Sequence, residues 1–337
     1  MSAKDFRGEV WTNVHPKVLE AIVQANEIEV DGKVGNDGYT KRATEIMQGY
    51  FSDEIRVVYA INGTAANILA LKSMLDRCST VLCEEQTHIN THESGALEAM
   101  LGNKILPIKG NAGKLSPQLL EDYLKKIKNY KYLTKVIVIT QPTELGVLYT
   151  NEEIADICSF AHERGMYVYI DGARLPNALA AMDTTITDMI EKTGVDAFSF
   201  GGTKAGAMFG EMVVFRRKEH FSALPYLQKQ ALQHMDKSKF LGVQMLELLK
   251  NDLWKETATH ANEMAKYLQV SLKKVGKDAF YPVQSNVLFC KMSKSEVEKL
   301  NEKFDVGYWD EQNSVVRLVT TFVTTKESID ELVSLLK

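Results

Sequence analysis

Tyr167-Val168-Tyr169-Ile170-Asp171-Gly172-Ala173-Arg174 and Ala197-Phe198-Ser199-Phe200-Gly201-Gly202-Thr203-Lys204-Ala205-Gly206 decide how this chain folds. Each opens with a short β-branched and aromatic run of the kind that forms a buried strand. Each closes in small residues around one ionisable side chain, Asp171 in the first and Lys204 in the second. In open α/β sheets, ligands bind at the carboxyl ends of the strands, where these side chains would sit. An isolated Asp-Gly more often caps a helix, and a lysine between glycines is more often merely solvated. The glycines tilt the second segment toward function, because they let backbone and a bulky ligand approach closely. A lysine desolvated there loses its proton more readily, and the neutral amine can attack an aldehyde to form a Schiff base.

Working outward, strands are expected at Val57–Ala60, Thr80–Cys83, Lys104–Ile108, Lys135–Thr140 and Met212–Phe215 as well. Amphipathic stretches separate them. One opens with Thr150 and Glu153 at capping-box spacing before the apolar stripe Ile154, Ile157, Cys158 and Ala161. This alternation predicts an α/β fold with a mostly parallel sheet covered by helices on both faces. After about residue 217 the pattern changes. Long helical stretches lead to a strand Asn286–Lys291, a helix capped by Ser293 with Glu296, a strand Val315–Thr320, and a last helix capped by Thr324 with Glu327. We read residues 1–245 as a large domain and 246–337 as a smaller α+β domain, with the first fifty residues wrapping over the large one. Turn signals crowd that opening segment at Asp31-Gly32 and Gly35-Asn36-Asp37-Gly38.

Composition narrows the function. With 40 basic and 44 acidic residues spread along 337, the net charge of −4 leaves no stripe for nucleic acid or anionic membrane. The longest apolar runs fall far short of the roughly 20 residues a membrane span requires. Cys78, Cys83, Cys158 and Cys290 form neither a CxxC pair nor a disulfide framework, and the start MSAKDFRGEV lacks a signal-peptide apolar region. Reduced thiols, a cytoplasmic location and no metal centre are expected.

A third element completes the chemistry. Asn62-Gly63-Thr64-Ala65-Ala66-Asn67 follows the first strand and opens a helix, so its free N–H groups and the Thr64 hydroxyl suit a phosphate. It is neither GxGxxG nor Walker A, which argues against dinucleotides and nucleoside triphosphates. A phosphate site, an aldehyde-reactive lysine and an acid able to hold a pyridinium proton are together what pyridoxal 5′-phosphate (PLP) asks of a protein.

In this order NGTAAN, EEQTHIN, ITQPTELGVLYT, YIDGAR, SFGGTKAG and VVRLVT resemble the low-specificity L-threonine aldolases and their β-eliminating lyase relatives, a branch of the fold-type I PLP enzymes. The resemblance extends from Val14-His15-Pro16 over almost the whole chain. It implies that Lys204 carries PLP, that Asp171 pairs with the ring nitrogen, and that His88 stacks on the ring. It assigns Gly63, Thr64 and Ala65 to the phosphate, with Thr203 as a helper, and Arg174 and Arg317 to the substrate carboxylate. It gives His92 no role. Taken without it, Arg317 reads as a solvent-facing strand position, because it alternates with apolar residues.

Several positions depart from the family pattern. Phe6-Arg7-Gly8-Glu9 stands where Ser-Asp is common after the first Phe, so Gly8 replaces a serine near the substrate carboxylate. Val34-Gly35-Asn36-Asp37 replaces Tyr-Gly-x-Asp, and Ala205 replaces an asparagine after the lysine. Gln141-Pro142-Thr143-Glu144 follows the low-specificity variant.

The resemblance implies retro-aldol cleavage of a small β-hydroxy amino acid to glycine and an aldehyde. The base for the β-hydroxyl is His88, a water it orders, or Glu144, in that order of preference. β-Elimination or racemisation of another small amino acid, or PLP binding with little turnover, stays open, because fold does not fix function. A homodimer or homotetramer is implied, with segment Gly35–Tyr39 lying over the cofactor of the adjacent subunit.

Overall fold

The computed structural model describes residues 4–28, 37–127 and 133–337. The turn signal Asp31-Gly32 and residues Val34, Gly35 and Asn36 lie outside the described residues. Seven strands form the main sheet: β1 (Arg56–Ala60), β2 (Thr80–Glu84), β3 (Lys104–Ile108), β4 (Thr134–Thr140), β5 (Tyr167–Asp171), β6 (Ala197–Gly201) and β7 (Glu211–Phe215), in the order β1-β7-β6-β5-β4-β2-β3. β7 runs antiparallel to both β1 and β6, while β2 to β6 pair in parallel, so six strands share one direction. Their carboxyl ends therefore meet along one edge.

The sheet is buried on both faces, which explains the unbroken apolar runs. Alternation sorts the side chains: Val168, Ile170, Phe198 and Phe200 join one core, and Tyr169, Ala197, Val213 and Phe215 the other. Helix Gly63–Met74 covers the second face, and helix Asn151–His162 covers the first, under the expected Thr150/Glu153 capping box.

A second sheet holds three strands in the order β8-β10-β9: β8 (Val287–Lys291), β9 (Gly307–Asp310) and β10 (Val315–Val319). β9 escaped the sequence reading because Gly307-Tyr308-Trp309-Asp310 is short and half-buried at every position, with no period-2 contrast. The helix Lys294–Leu300 carries the expected Ser293/Glu296 box. The last helix, Lys326–Ser334, does not start where expected. Thr325 caps it against Ser328, whereas Thr324 is buried and accepts the Thr321 N–H through its hydroxyl. In the opening segment, Asp37 caps helix Gly38–Gln48 by accepting from Tyr39 N and Thr40 N.

Candidate active site

The carboxyl edge of the main sheet assembles residues far apart in sequence. β1 leads to Gly63 and Thr64, β2 to His88, β4 to Glu144, β5 ends at Asp171, and β6 runs into Thr203 and Lys204. These side chains line one cavity of about 270 Å³, joined by Val10, Asn62, Ala173 and Glu211.

Asp171 is buried, and its oxygens accept one Asn67 N–H (2.9 Å) and the Ala173 backbone N–H (3.1 Å). Burial pushes its carboxyl up; His88 opposes this, and Glu93 adds to it. Asn67 is itself fixed, receiving the Tyr169 hydroxyl at 2.8 Å and donating to Glu93 at 2.7 Å. His88 Nδ1–H donates to the same Glu93 oxygen at 2.8 Å. Burial works against the His88 cation, but this bond with Glu144 and Asp171 outweighs it, and His88 titrates above its usual range.

Lys204 has no hydrogen-bond or ion-pair partner among the described residues. Burial and the Arg174 charge lower its affinity for a proton, against the pull of Glu9, Glu144 and Asp171. Across from it, burial raises the Glu211 carboxyl to about 7, while its Oε2 accepts the Gly202 N–H at 3.0 Å. For Glu144, burial alone would raise the carboxyl, but Arg174, Lys204, His88 and Arg317 hold it low.

At the start of helix Gly63–Met74, Asn62 Oδ1 accepts the Ala65 N–H at 2.9 Å. That bond engages the N–H of Ala65, which does not line the cavity. Gly63 and Thr64 remain, with open space around Gly63. Gly201, which ends β6, and Gly202 after it also serve differently from expectation. A Cβ on Gly201 would meet Ala173 O at 2.1 Å, and one on Gly202 would meet Met245 Cε at 2.1 Å. They are required by neighbouring protein atoms.

Arg174 differs more sharply. Its Nε donates to Glu9 Oε1 at 2.6 Å and one terminal nitrogen to Glu9 Oε2 at 2.9 Å, so the side-on face of its fork is committed inside the protein. Glu9 also accepts from Asn286 Nδ2 at 2.7 Å and is held well below the usual carboxylate range: burial opposes ionisation, and Arg174 overcomes it. Arg317, read alone as solvent-facing, is half-buried instead. It lies over the Trp309 ring at 4.9 Å, donates to Arg7 O at 3.1 Å, and comes within 3.9 Å of where a Gly8 Cβ would stand.

Glu9, Asn67, Glu93 and Glu211 were missed from the sequence. Asn67 left one signal, a lone amide before the apolar run Ile68-Leu69-Ala70-Leu71. Glu93 and Glu211 left none, since only the folded chain brings them to the edge.

The donor set fits PLP: a helix start with free N–H groups, an unpartnered lysine, and a buried carboxylate whose charge needs a cationic partner such as a pyridinium N–H. Comparison with known proteins agrees. The low-specificity L-threonine aldolase of Pseudomonas sp. (strain NCIMB 10558) is 33% identical over 304 residues, covering 89% of this chain and 88% of that protein. Its Pseudomonas aeruginosa counterpart is 32% identical, covering 89% and 87%. A Leishmania major threonine aldolase structure superposes with a TM-score of 0.92 at 29% identity, covering 98% of each chain. The fold is that of the fold-type I PLP enzymes. The β-eliminating lyase family matches residues 5–295, and with these relatives beside that match, the chain belongs to the β-eliminating lyase family.

Proposed function

We propose that this protein cleaves L-threonine, L-allo-threonine or a related β-hydroxy amino acid to glycine and an aldehyde, with PLP as cofactor. The observation that carries the reading is the meeting of Lys204, Asp171, His88 and the Gly63-Thr64 helix start around one cavity. PLP bound there supplies an electron sink for the bond pair released at the substrate's Cα.

The chain's own residues do the rest. Lys204 is the amine that holds the cofactor aldehyde, and its lowered proton affinity keeps a nucleophilic fraction available. Asp171, fixed by Asn67, holds the ring nitrogen's proton. His88, fixed by Glu93, would stack on the cofactor ring. Gly63 and Thr64, helped by Thr203, donate to the phosphate. Arg317 receives the substrate carboxylate, with Arg174 behind it; the space left at Gly8 lies beside Arg317. Held there, the carboxylate would fix the orientation of the substrate's Cα bonds for cleavage.

Residues 1–245 act as the PLP-binding domain and 246–337 as the smaller domain. The chain works as a homodimer or homotetramer: Val10, which lines the cavity, and its neighbour Trp11 are 59% and 62% exposed, an apolar rim suited to a second copy. The location is cytoplasmic; among the described residues no helix is long and apolar enough to cross a membrane.

The test is release of glycine and acetaldehyde from L-threonine by the purified protein with its visible PLP absorbance. Threonine, allo-threonine, phenylserine, serine and alanine assayed side by side distinguish cleavage from β-elimination and racemisation. Turnover of serine or alanine without threonine cleavage would replace this reading.

A further inference from the structure

The rings of His88 and His92 stack at 5.5 Å with 19° between their planes, and Trp309 stacks on the exposed His92 at 5.2 Å and 27°. Trp309 in turn carries the Arg317 guanidinium. His92 therefore links His88 on the cavity wall, through Trp309, to the arginine of the small sheet. His92 thus stands beside the cavity, within electrostatic reach of Glu144 and Lys204 on its wall and of Arg317.

The two histidines are wired differently. His88 donates Nδ1–H to the buried Glu93 carboxylate, which favours its cationic form. His92 Nδ1 lies 2.6 Å from the Thr91 hydroxyl. The Thr91 hydroxyl also faces the Thr87 carbonyl at 3.2 Å and the Gln86 carbonyl at 3.3 Å; when its proton goes to one of them, His92 Nδ1–H donates to Thr91 and Nε2 keeps a lone pair. The charged groups facing His92 are Glu144, His88, Arg317 and Lys204. Burial and the three cations outweigh Glu144 and keep this imidazole neutral to a lower pH than usual. Two neighbouring groups driven apart in this way mark an acid and base pair.

Resting on the aldolase reading, we propose that His92 rather than His88 takes the proton of the substrate β-hydroxyl. Nε2 accepts that proton, the O–H pair becomes the second bond of the aldehyde carbonyl, and the Cα–Cβ pair stays with Cα. Cα then takes a proton from water to leave glycine, and His92 returns its proton to water as the aldehyde departs.

The experiment uses the holoenzyme of His92→Phe, which keeps a flat ring in the stack and removes the acceptor. L-Threonine cleavage is compared with exchange of the glycine α-proton in deuterium oxide, followed by NMR. Glycine has no β-hydroxyl, so exchange needs every part of the site except the proposed base. The expected result is a kcat for cleavage reduced by about 10²–10⁴-fold, with the visible absorbance and glycine exchange retained. Thr91→Val, which removes the group fixing the tautomer, is expected to lower cleavage less and also leave exchange in place. Unchanged cleavage by His92→Phe, or cleavage and exchange falling together, overturns the inference. Unaltered enzyme that exchanges glycine yet cleaves no β-hydroxy amino acid overturns the aldolase reading itself.

Discussion

Lys204 is the only ionisable residue in Gly201-Gly202-Thr203-Lys204-Ala205-Gly206, and the proposed chemistry depends on its amine. Lys204→Ala is expected to abolish both aldehyde formation and the imine absorbance with PLP supplied; a spectrophotometric assay decides it. Asp171→Asn is expected to retain PLP, because the amide fills the same space between Asn67 and Ala173. It cannot hold a pyridinium proton, so kcat should fall roughly 10²-fold or more while KM changes little. Steady-state kinetics on the reconstituted variant checks the split. Glu211 permits a pH prediction. Its folded carboxyl titrates near 7 instead of 4.5, so the native state keeps a proton that the unfolded chain gives up. Stability is therefore lost as pH rises from about 4.5 and fully lost by about 7, to a limit on the order of 3 kcal/mol. Glu211→Gln still accepts from Gly202 N and does not ionise. Denaturant titrations of the apoprotein at pH 5 and pH 8 should show a smaller fall for the variant than for the unaltered chain; equal falls would refute the assignment.

Between elements, the join of β5 and β6 controls the site. Gly201 N donates to Gly172 O at 3.0 Å, and a Cβ on Gly172 would stand 1.9 Å from Ser199 O. The two strand ends touch backbone to backbone, which sets the separation of Asp171 from Lys204. Gly172→Ala should lower unfolding stability by about 1–3 kcal/mol or more through forced overpacking. A urea midpoint unchanged from that of the parent would show that the strands can part. The strands, their parallel order and the lysine and aspartate at their ends were legible because each depends on local pattern and the handed rules of α/β folds. The uses of Gly172 and Gly201 were not: a glycine needed by a neighbouring strand and one needed by a ligand look the same in a sequence. The pairing of Arg174 with Glu9 was hidden for a similar reason, since nothing near Arg174 in sequence announces that residue 9 fills its fork. β9 was hidden by its even half-burial.

At the scale of the whole molecule, the exposed Val10 and Trp11 beside the cavity bear on assembly. If a second copy covers this rim, dilution should cost activity in step with dissociation, read by sedimentation paired with the threonine assay. A fully active monomer would refute a shared site. Within one chain, the same segment closes a long circuit. Phe6 N donates to Asp305 O, Val319 N donates to Phe6 O, and Glu9 joins Arg174 to Asn286. Such contacts span almost the full length of the polypeptide, and contacts of that span form late. On the ribosome, residues 4–9 must wait for residues 286, 305 and 319 to emerge before they find their places. Strands β1 to β7, with Lys204 and Asp171 at their ends, are made before those residues. Residues 4–9 thus tie Arg174 at the edge of the main sheet to the small sheet only once residues 286–319 have been made.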